Sequence, residues 1–282
     1  FPGYGYFIQN DIKTLSVYGE WYHDFSSNRF YMFFGGIDPA SVTIEVATIN
    51  SLIINEGYDF LVFDNLQLHG SISHATTFLN YTSKSCTIQN SVISFAGQNG
   101  INILGERNTI TNSIISDCNQ TGIYTVGDYE TISGNIIRNI GVLPGQAMDG
   151  GLTTGIHVTN NHCLIKNNTI KNVGYCGITL SSTADIITIQ NNFIHNVLIT
   201  LNDGAGIYTA GEGISRKLDG NIIINVTGVT EGTPYPTMYI ARGIYLDVNS
   251  TNVTVTNNTV ANCTEGGYMV HRAYENQFEN NT

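Results

Sequence analysis

Two short acidic segments carry the side chains best suited to chemistry in this sequence. Asp203 lies in the segment NDGAGIY (202–208), whose glycines would let a ligand approach, and Asp247 ends the segment GIYLD (243–247). Cleavage of a glycosidic bond uses two carboxyl groups, one that protonates the leaving oxygen and one that attacks or activates water. Asp203 and Asp247 are therefore a candidate catalytic pair. The alternative is that Asp203 only forms a turn and Asp247 only ends a strand.

Further polar and aromatic residues would complete such a site. Glu212 follows the Asp203 segment and is a reserve catalytic acid or base. The candidate substrate-binding residues are Tyr208, Tyr245, His157, His271, Arg272, Tyr124, Asp149 and Arg242. The spacing of Cys, His and Asp residues indicates no zinc or iron site, so no metal or other cofactor is predicted. Calcium binding stays open, because backbone carbonyls and scattered aspartates suffice for it.

A repeated unit must position these residues. The segments NNTIKNV (167–173), NNFIHNV (191–197), GNIIINV (220–226) and NNTVANC (257–263) are copies of it. A period of roughly 20–30 residues indicates a solenoid, and the alternation of apolar and polar residues within each copy indicates strands. We therefore predict an all-β fold over residues 48–282, a right-handed parallel β-helix (solenoid) of about nine coils.

The first 47 residues do not follow the repeat. Two aromatic segments, EWYHD (20–24) and RFYMF (29–33), flank the short connection FSSN (25–28) and predict a β-hairpin. Residues 1–47 are therefore predicted to form a partial N-terminal β module. We also expect the numbered chain to be a processed or trimmed piece, because no signal peptide is visible and Phe1 is not an initiator.

Alignment of the copies defines columns of residues that should be neighbours in space. One column predicts an asparagine ladder, with members Asp117, Asn139, Asn172, Asn196, Asn225 and Asn262. A recurring Gly-Ile pair defines an outward column, with members Asn102, Tyr124, His157, Thr179, Tyr208, Tyr245 and Met269. Aromatic side chains in that column could form a platform for sugar rings. The alternative is an aromatic ladder covered by a loop.

Three insertions enlarge the later coils at the same point of the repeat. They are residues 143–154, 198–205 and 227–242, and each falls between the asparagine unit and the next Gly-Ile strand. Insertions on one side of a solenoid often form its binding face. They predict a groove beside Tyr208 and Tyr245. Adjacent coils should also bring Asp203 and Asp247 together, with a spacing of about 5–5.5 Å implying retention and roughly 6.5–9.5 Å inversion.

Composition restricts the partners. The 282-residue chain has a net charge of −11, which argues against nucleic acid and disfavours a strongly acidic polysaccharide. No apolar run reaches the roughly 18 residues that a membrane span needs, so no membrane partner is predicted. The low content of charged residues, the few lysines and the analogy of fold suggest a secreted, periplasmic or cell-surface protein.

The same motifs resemble bacterial β-helix glycoside hydrolases. The resemblance rests on GEWYHD (19–24), FYM (30–32), DP (38–39) and the two aspartate segments, and it is strongest to glycoside hydrolase family 141, with family 120 a cousin. Family 141 includes α-L-fucosidase and xylanase activities, and family 120 includes β-xylosidases. The resemblance implies a catalytic pair on successive coils, carried here by Asp203 and Asp247. A family-120-like arrangement would instead pair Asp203 with Glu212 or Glu231. The chain is shorter than such enzymes, so we expect an upstream part of the β module and later coils to be missing.

Three functions compete for this sequence. The first is a glycoside hydrolase that cleaves a neutral or mixed plant or algal polysaccharide or oligosaccharide, with fucosidase-like or xylanase- or xylosidase-like activity. The second is a polysaccharide lyase, which would need a Lys, Arg or His base and a cationic site for uronates. The third is a non-catalytic β-helix, either an adhesin or a carbohydrate-binding protein. The paired aspartate segments beside enlarged loops favour the hydrolase.

Overall fold

The chain forms two compact units in a computed structural model that describes residues 5–6, 8–79 and 82–282. The first unit comprises residues up to Val46 together with Glu231–Pro236. The second comprises Ala47–Thr230 and Thr237–Thr282.

The first unit contains a β-hairpin, as its aromatic segments predict. Strands β1 (Trp21–Asp24) and β2 (Arg29–Met32) pair in antiparallel register, with Trp21 opposite Met32 and Asp24 opposite Arg29. The Trp21 and Phe30 rings stack with centroids 5.5 Å apart. Two short 3-10 helices, Ile12–Thr14 and Pro39–Ser41, flank the hairpin along the chain.

The second unit consists of short strands. In chain order they are β3 (Ile53–Asn55), β4 (Val62–Asp64), β5 (Gln67–Ser71), β6 (Thr76–Phe78), β7 (Thr87–Gln89), β8 (Val92–Ala96), β9 (Ile101–Ile103), β10 (Thr109–Thr111), β11 (Ile114–Cys118), β12 (Ile123–Thr125), β13 (Thr131–Ser133), β14 (Ile136–Ile140), β15 (Ile156–Val158), β16 (Leu164–Lys166), β17 (Thr169–Val173), β18 (Ile178–Leu180), β19 (Thr188–Gln190), β20 (Phe193–Val197), β21 (Gly204–Thr209), β22 (Arg216–Asp219), β23 (Ile222–Val226), β24 (Ala241–Leu246), β25 (Val253–Thr256), β26 (Thr259–Cys263), β27 (Gly266–Val270) and β28 (Gln277–Glu279). A 3-10 helix, Gly150–Leu152, lies between β14 and β15.

These strands form three parallel sheets, to which each coil contributes one strand in turn. Sheet 1 runs from β3 to β27 and sheet 2 from β4 to β28, with nine strands each, and sheet 3 runs from β5 to β26 with eight. Ile165 pairs with Ile189, and Ile189 with Leu218, so the apolar residues of the repeat do stack. The interior consists of these columns, whose central members are fully buried. The predicted right-handed parallel β-helix is confirmed.

Asparagines connect the coils in two ladders. In the predicted ladder, the Asn172 amide donates to Asn139 at 3.0 Å and the Asn196 amide donates to Asn172 at 3.3 Å. Asn172 and Asn196 have φ values of 54° and 53°, a left-handed conformation that asparagine tolerates. A second, fully buried ladder was not predicted. Its members are Asn135, Asn168, Asn192, Asn221 and Asn258, and each binds the next through its side chain.

The parts of the three insertions that belong to the second unit lie side by side along the β-helix. The Tyr175 N–H donates to the Thr153 carbonyl, and the Leu198 N–H donates to the Tyr175 carbonyl. The Asn202 side chain then donates to the Met238 carbonyl at 2.9 Å. The stacked insertions therefore border the end of sheet 1 at which β21 and β24 begin. None of the helices within the described residues has the length and apolar character that crossing a membrane would need.

Candidate functional site

The Gly-Ile column runs along sheet 1 as its spacing predicts. The register pairs Tyr124 with His157, His157 with Thr179, Thr179 with Tyr208, and Tyr208 with Tyr245. The open platform expected from this column is not present, because Thr179 and Tyr245 are each only 5 % exposed. The column is therefore interrupted at Thr179 and Tyr245, whereas Tyr124, His157, Tyr208 and Met269 are of intermediate exposure.

His157 and Tyr124 illustrate this packing. Their rings stack with centroids 5.2 Å apart and an angle of 8° between the planes, so each ring already has one face covered. The Nδ1 atom of His157 lies 2.8 Å from the Thr179 hydroxyl. Burial lowers the pKa of His157 to about 4, so this imidazole is neutral near pH 7. The stacking therefore leaves at most one face of each ring for contact with a sugar.

Asp247 lies at the centre of a hydrogen-bond network directly after β24. The Tyr208 hydroxyl donates to Oδ2 of Asp247 at 2.8 Å, and Nδ1 of His271 lies 2.8 Å from Oδ1. The Tyr245 hydroxyl is 3.4 Å from the same His271 nitrogen. Three side chains from three successive coils thus converge on one carboxylate.

This network keeps Asp247 ionised. Burial alone would raise the pKa of the Asp247 carboxyl, but hydrogen bonds from His271, Tyr208, the Val248 backbone and Tyr245 outweigh it, and the net pKa is lowered. Burial and the nearby carboxylate raise the pKa of the Tyr208 hydroxyl well above its ordinary value. The Tyr208 hydroxyl therefore keeps its proton near neutral pH, where it donates to the charged Asp247.

Asp203 occupies a sharp turn immediately before β21. Its backbone has a φ of 60°, and its carbonyl accepts a hydrogen bond of 2.7 Å from the Tyr175 hydroxyl. Gly204 follows because a Cβ atom there would lie 2.8 Å from the Tyr175 ring. The Asp203 side chain is 65 % exposed, and its Oδ1 lies 3.2 Å from Nη1 of Arg242. The turn thus presents the Asp203 carboxyl group to solvent from a tightly packed backbone.

The register does not bring Asp203 and Asp247 together. β21 and β24 pair Gly204 with Ala241 and Thr209 with Leu246, so Asp203 precedes this paired segment while Asp247 follows it. The expectation that stacking alone would juxtapose the two carboxylates is wrong, since they lie at opposite ends of the strand pair. They are connected through Arg242 and Tyr245, because the Arg242 guanidinium covers the Tyr245 ring at 4.1 Å.

Arg242 is held by a carboxylate that the motifs did not reveal. One oxygen of Glu265 lies 2.7 Å from Nε of Arg242, and the other accepts a hydrogen bond of 3.2 Å from Nη2. Arg242 is only 6 % exposed. Its donors therefore serve the protein itself, whereas the sequence had suggested a contact with substrate. The pairing of β24 with β27 places Arg242 beside Gly266, so column alignment could have located Glu265.

The remaining predicted residues make no side-chain contact with Asp247 within the described part of the chain, although the Glu212 turn lies beside it. Glu212 is exposed in the turn after β21, where the N–H of the preceding Gly211 donates to the Val248 carbonyl one residue beyond Asp247. Arg272 is exposed, with a left-handed φ of 50°. The Asp149 carboxylate accepts a hydrogen bond from the Gly151 N–H and begins the 3-10 helix there. Glu231 belongs to the first unit.

Comparison with known proteins identifies the fold family. A family model described as a right-handed β-helix region matches residues 50–196 and 127–282. The chain belongs to the right-handed β-helix family. A comparison of its sequence with curated proteins gave no match.

Several solved structures share this β-helix. A glycoside hydrolase is similar with a TM-score of 0.79 and 16% identity over 96% of this chain, which spans 57% of that chain. The pectate lyase Pel9A is similar with a TM-score of 0.56 and 12% identity, over 83% of this chain and 68% of that one. An alginate lyase from Paenibacillus sp. str. FPU-7 has a TM-score of 0.53 and 13% identity, over 81% of this chain and 90% of that one. At these identities the similarity establishes the fold alone.

Proposed function

We propose that this β-helix carries the active site of a glycoside hydrolase. The substrate class is a neutral or mixed plant or algal polysaccharide or oligosaccharide, and we place the enzyme outside the cell, in the periplasm or at the cell surface. The observation that carries the proposal is the Asp247 carboxylate, which is half-buried and receives hydrogen bonds from Tyr208 and His271. A carboxylate fixed in its ionised form suits the residue that activates water or attacks the sugar.

A second carboxyl group must protonate the leaving oxygen, and we assign that role to Asp203. Asp203 is the more exposed of the two carboxylates, and Arg242 and Tyr245 link it to the Asp247 network. Because these side chains lie between the two carboxylates, the short spacing of about 5–5.5 Å that retaining enzymes use is excluded, and inversion is the outcome that fits these roles. Glu212 is the reserve, since its turn contacts the backbone beside Asp247.

The charges of the site favour a hydrolase over a lyase. A polysaccharide lyase is the second candidate, because His271 is oriented by Asp247 as a base could be. A lyase or a uronate epimerase also needs a cation to bind the uronate carboxylate. The Arg242 charge is already matched by both Asp203 and Glu265. A uronate carboxylate would therefore meet net negative charge at this arginine.

A panel of glycans tests the proposal. Parent protein is incubated with neutral and uronate-containing plant and algal polysaccharides, and products are measured both as reducing ends and as the ultraviolet absorbance of unsaturated uronates. We expect reducing ends without unsaturated products. Asp247→Asn and Asp203→Asn should each lower kcat by about 10²–10⁴-fold, the usual contribution of a catalytic acid or base. Asp219→Asn, which alters an ion-paired carboxylate on sheet 2, serves as the control.

Specific outcomes contradict this assignment. Unsaturated products would make the protein a lyase, and parent protein that binds glycans without cleaving any would make it a carbohydrate-binding β-helix. Near-normal turnover by Asp203→Asn, together with loss of activity in Glu212→Gln, would move the acid role to Glu212. Near-normal turnover by Asp247→Asn would remove the basis of the proposal.

A further inference from the structure

Glu265 is the one carboxylate at this site to which neither motif nor resemblance assigns a role. It directly precedes β27, one coil beyond Arg242, and its N–H donates to the Ala241 carbonyl. Both of its carboxylate oxygens face the Arg242 guanidinium, with contacts of 2.7 and 3.2 Å. Nη2 donates a hydrogen bond, whereas Nε makes an ion-pair contact without hydrogen-bond geometry, and the two contacts together restrain the plane and the position of the guanidinium.

That plane determines two further contacts. Nη1 of Arg242, on the edge not used by Glu265, lies 3.2 Å from Asp203. The face of the guanidinium lies 4.1 Å from the centre of the Tyr245 ring, whose hydroxyl reaches toward His271. A rotation of the guanidinium would therefore disturb both carboxylate ends of the site. Burial of Arg242 leaves little room for water to replace these contacts.

We propose that Glu265 is a positioning residue that fixes Arg242 and, through it, the orientation of Asp203 and of the Tyr245 ring. This inference rests on the proposed hydrolase only for its effect on catalysis. The arrangement has a simple electrostatic consequence. Arg242 divides its charge between Asp203 and Glu265, so the field that Asp203 experiences depends on whether Glu265 is charged.

Two substitutions should act on Asp203 in opposite directions. Glu265→Gln removes a negative charge and leaves Arg242 to Asp203 alone, which favours the ionised form of Asp203. Arg242→Gln removes the positive charge and favours the protonated form. A general acid must be protonated, so the alkaline limb of the pH profile of kcat/KM should move to lower pH in Glu265→Gln and to higher pH in Arg242→Gln. We expect shifts of about half a pH unit to one unit, the size that one nearby surface charge produces.

The split between kinetic constants separates positioning from substrate binding. Glu265 is not proposed to touch the sugar, so Glu265→Gln should lower kcat and change KM little. Lys217→Gln is the matched control, because it breaks an exposed ion pair with Asp219 on sheet 2 and should leave both constants and the pH profile unchanged. A mere loss of stability would lower the active fraction without moving the alkaline limb.

A measurement without substrate decides the inference independently of activity. The protein is labelled with ¹³C at the aspartate carboxyl carbons, Asp203→Asn identifies the Asp203 signal, and its shift is followed against pH in parent and variants. Movement of its titration midpoint to lower pH in Glu265→Gln supports the inference, even if no glycan is cleaved and the proposed function has failed. An unchanged midpoint in Glu265→Gln would overturn the inference even if the protein is a hydrolase. Glu265 is partly exposed, so this variant is expected to fold even if Arg242→Gln does not.

Discussion

Glu130 offers a direct test of how the β-helix interior treats charge. It directly precedes β13 and is 0 % exposed, in a column whose neighbours on adjacent coils are Asn108 and Cys163. The Asn108 side-chain amide donates to one oxygen of Glu130 at 3.2 Å. Within the described residues, no donor reaches the other oxygen. A charged carboxylate in this position would be poorly solvated.

Burial consequently raises the pKa of Glu130 to about 9, with hydrogen bonds from Asn108 opposing part of the rise. The unfolded chain ionises this group near its ordinary value of 4.5. Near pH 7 folding must therefore take up a proton. The gap between pH 7 and the unfolded value, at 1.36 kcal/mol per pH unit, corresponds to a cost of about 3 kcal/mol.

Glu130→Gln should remove this cost, because a neutral amide needs no proton. Near pH 4.5 the parent and the variant should have similar free energies of unfolding. The contribution of the Glu130 protonation to the stability of the parent is complete below 4.5, the pKa of this carboxyl in the unfolded chain. That contribution is lost as the pH rises toward about 9, its pKa in the folded protein. The free energy of unfolding of Glu130→Gln should therefore exceed that of the parent by an amount that grows with pH and reaches up to about 3 kcal/mol at pH 7.

Urea denaturation of both proteins at pH 5, 7 and 8.5, followed by circular dichroism, measures the difference. Glu279→Gln is the matched control, since Glu279 is exposed on β28 and is not among the charges that raise the Glu130 pKa. The control should show no gain that grows with pH. Parallel pH dependences of parent and Glu130→Gln would refute the reasoning, because they would mean that Glu130 is charged in the folded protein.

Three other results would test the site and the scaffold. Tyr208→Phe removes a hydrogen-bond donor to Asp247, so the pKa of the Asp247 carboxyl should rise. The acidic limb of the pH profile of kcat/KM should then move to higher pH, and an unchanged limb would mean that Asp247 is not the base. Asn192→Ala should lower the free energy of unfolding, measured by urea denaturation, by at least about 2 kcal/mol, because the buried Asn168 amide and Ile165 carbonyl lose their hydrogen bonds. Asn196→Ala, in the more exposed ladder, should cost less. Proton NMR of fresh cleavage products should show inversion at the anomeric carbon, and retention would contradict the roles given to Asp203 and Asp247.

The fold of this protein can be predicted from its amino-acid sequence alone. Every coil of a stacked solenoid repeats the same environment, so each column shows many times which residue type one position of the coil needs. A few exceptions in a column therefore do not obscure the pattern. The outward column through Tyr124, His157 and Tyr208 and the ladder through Asn172 and Asn196 were both readable in this way. The hairpin of the first unit followed from two aromatic segments and a short polar turn.

The contacts between side chains at the candidate site depend on the folded chain. Spacing along the chain placed Asp203 and Asp247 on adjacent coils, but their register along the strands separates them. Column alignment places Glu265 near Arg242, but the conformations of these two long side chains decide that they pair. Columns record backbone stacking, whereas charge pairing and burial depend on side-chain conformation, and for this reason the roles of Glu265 and Glu130 emerged only from the folded chain.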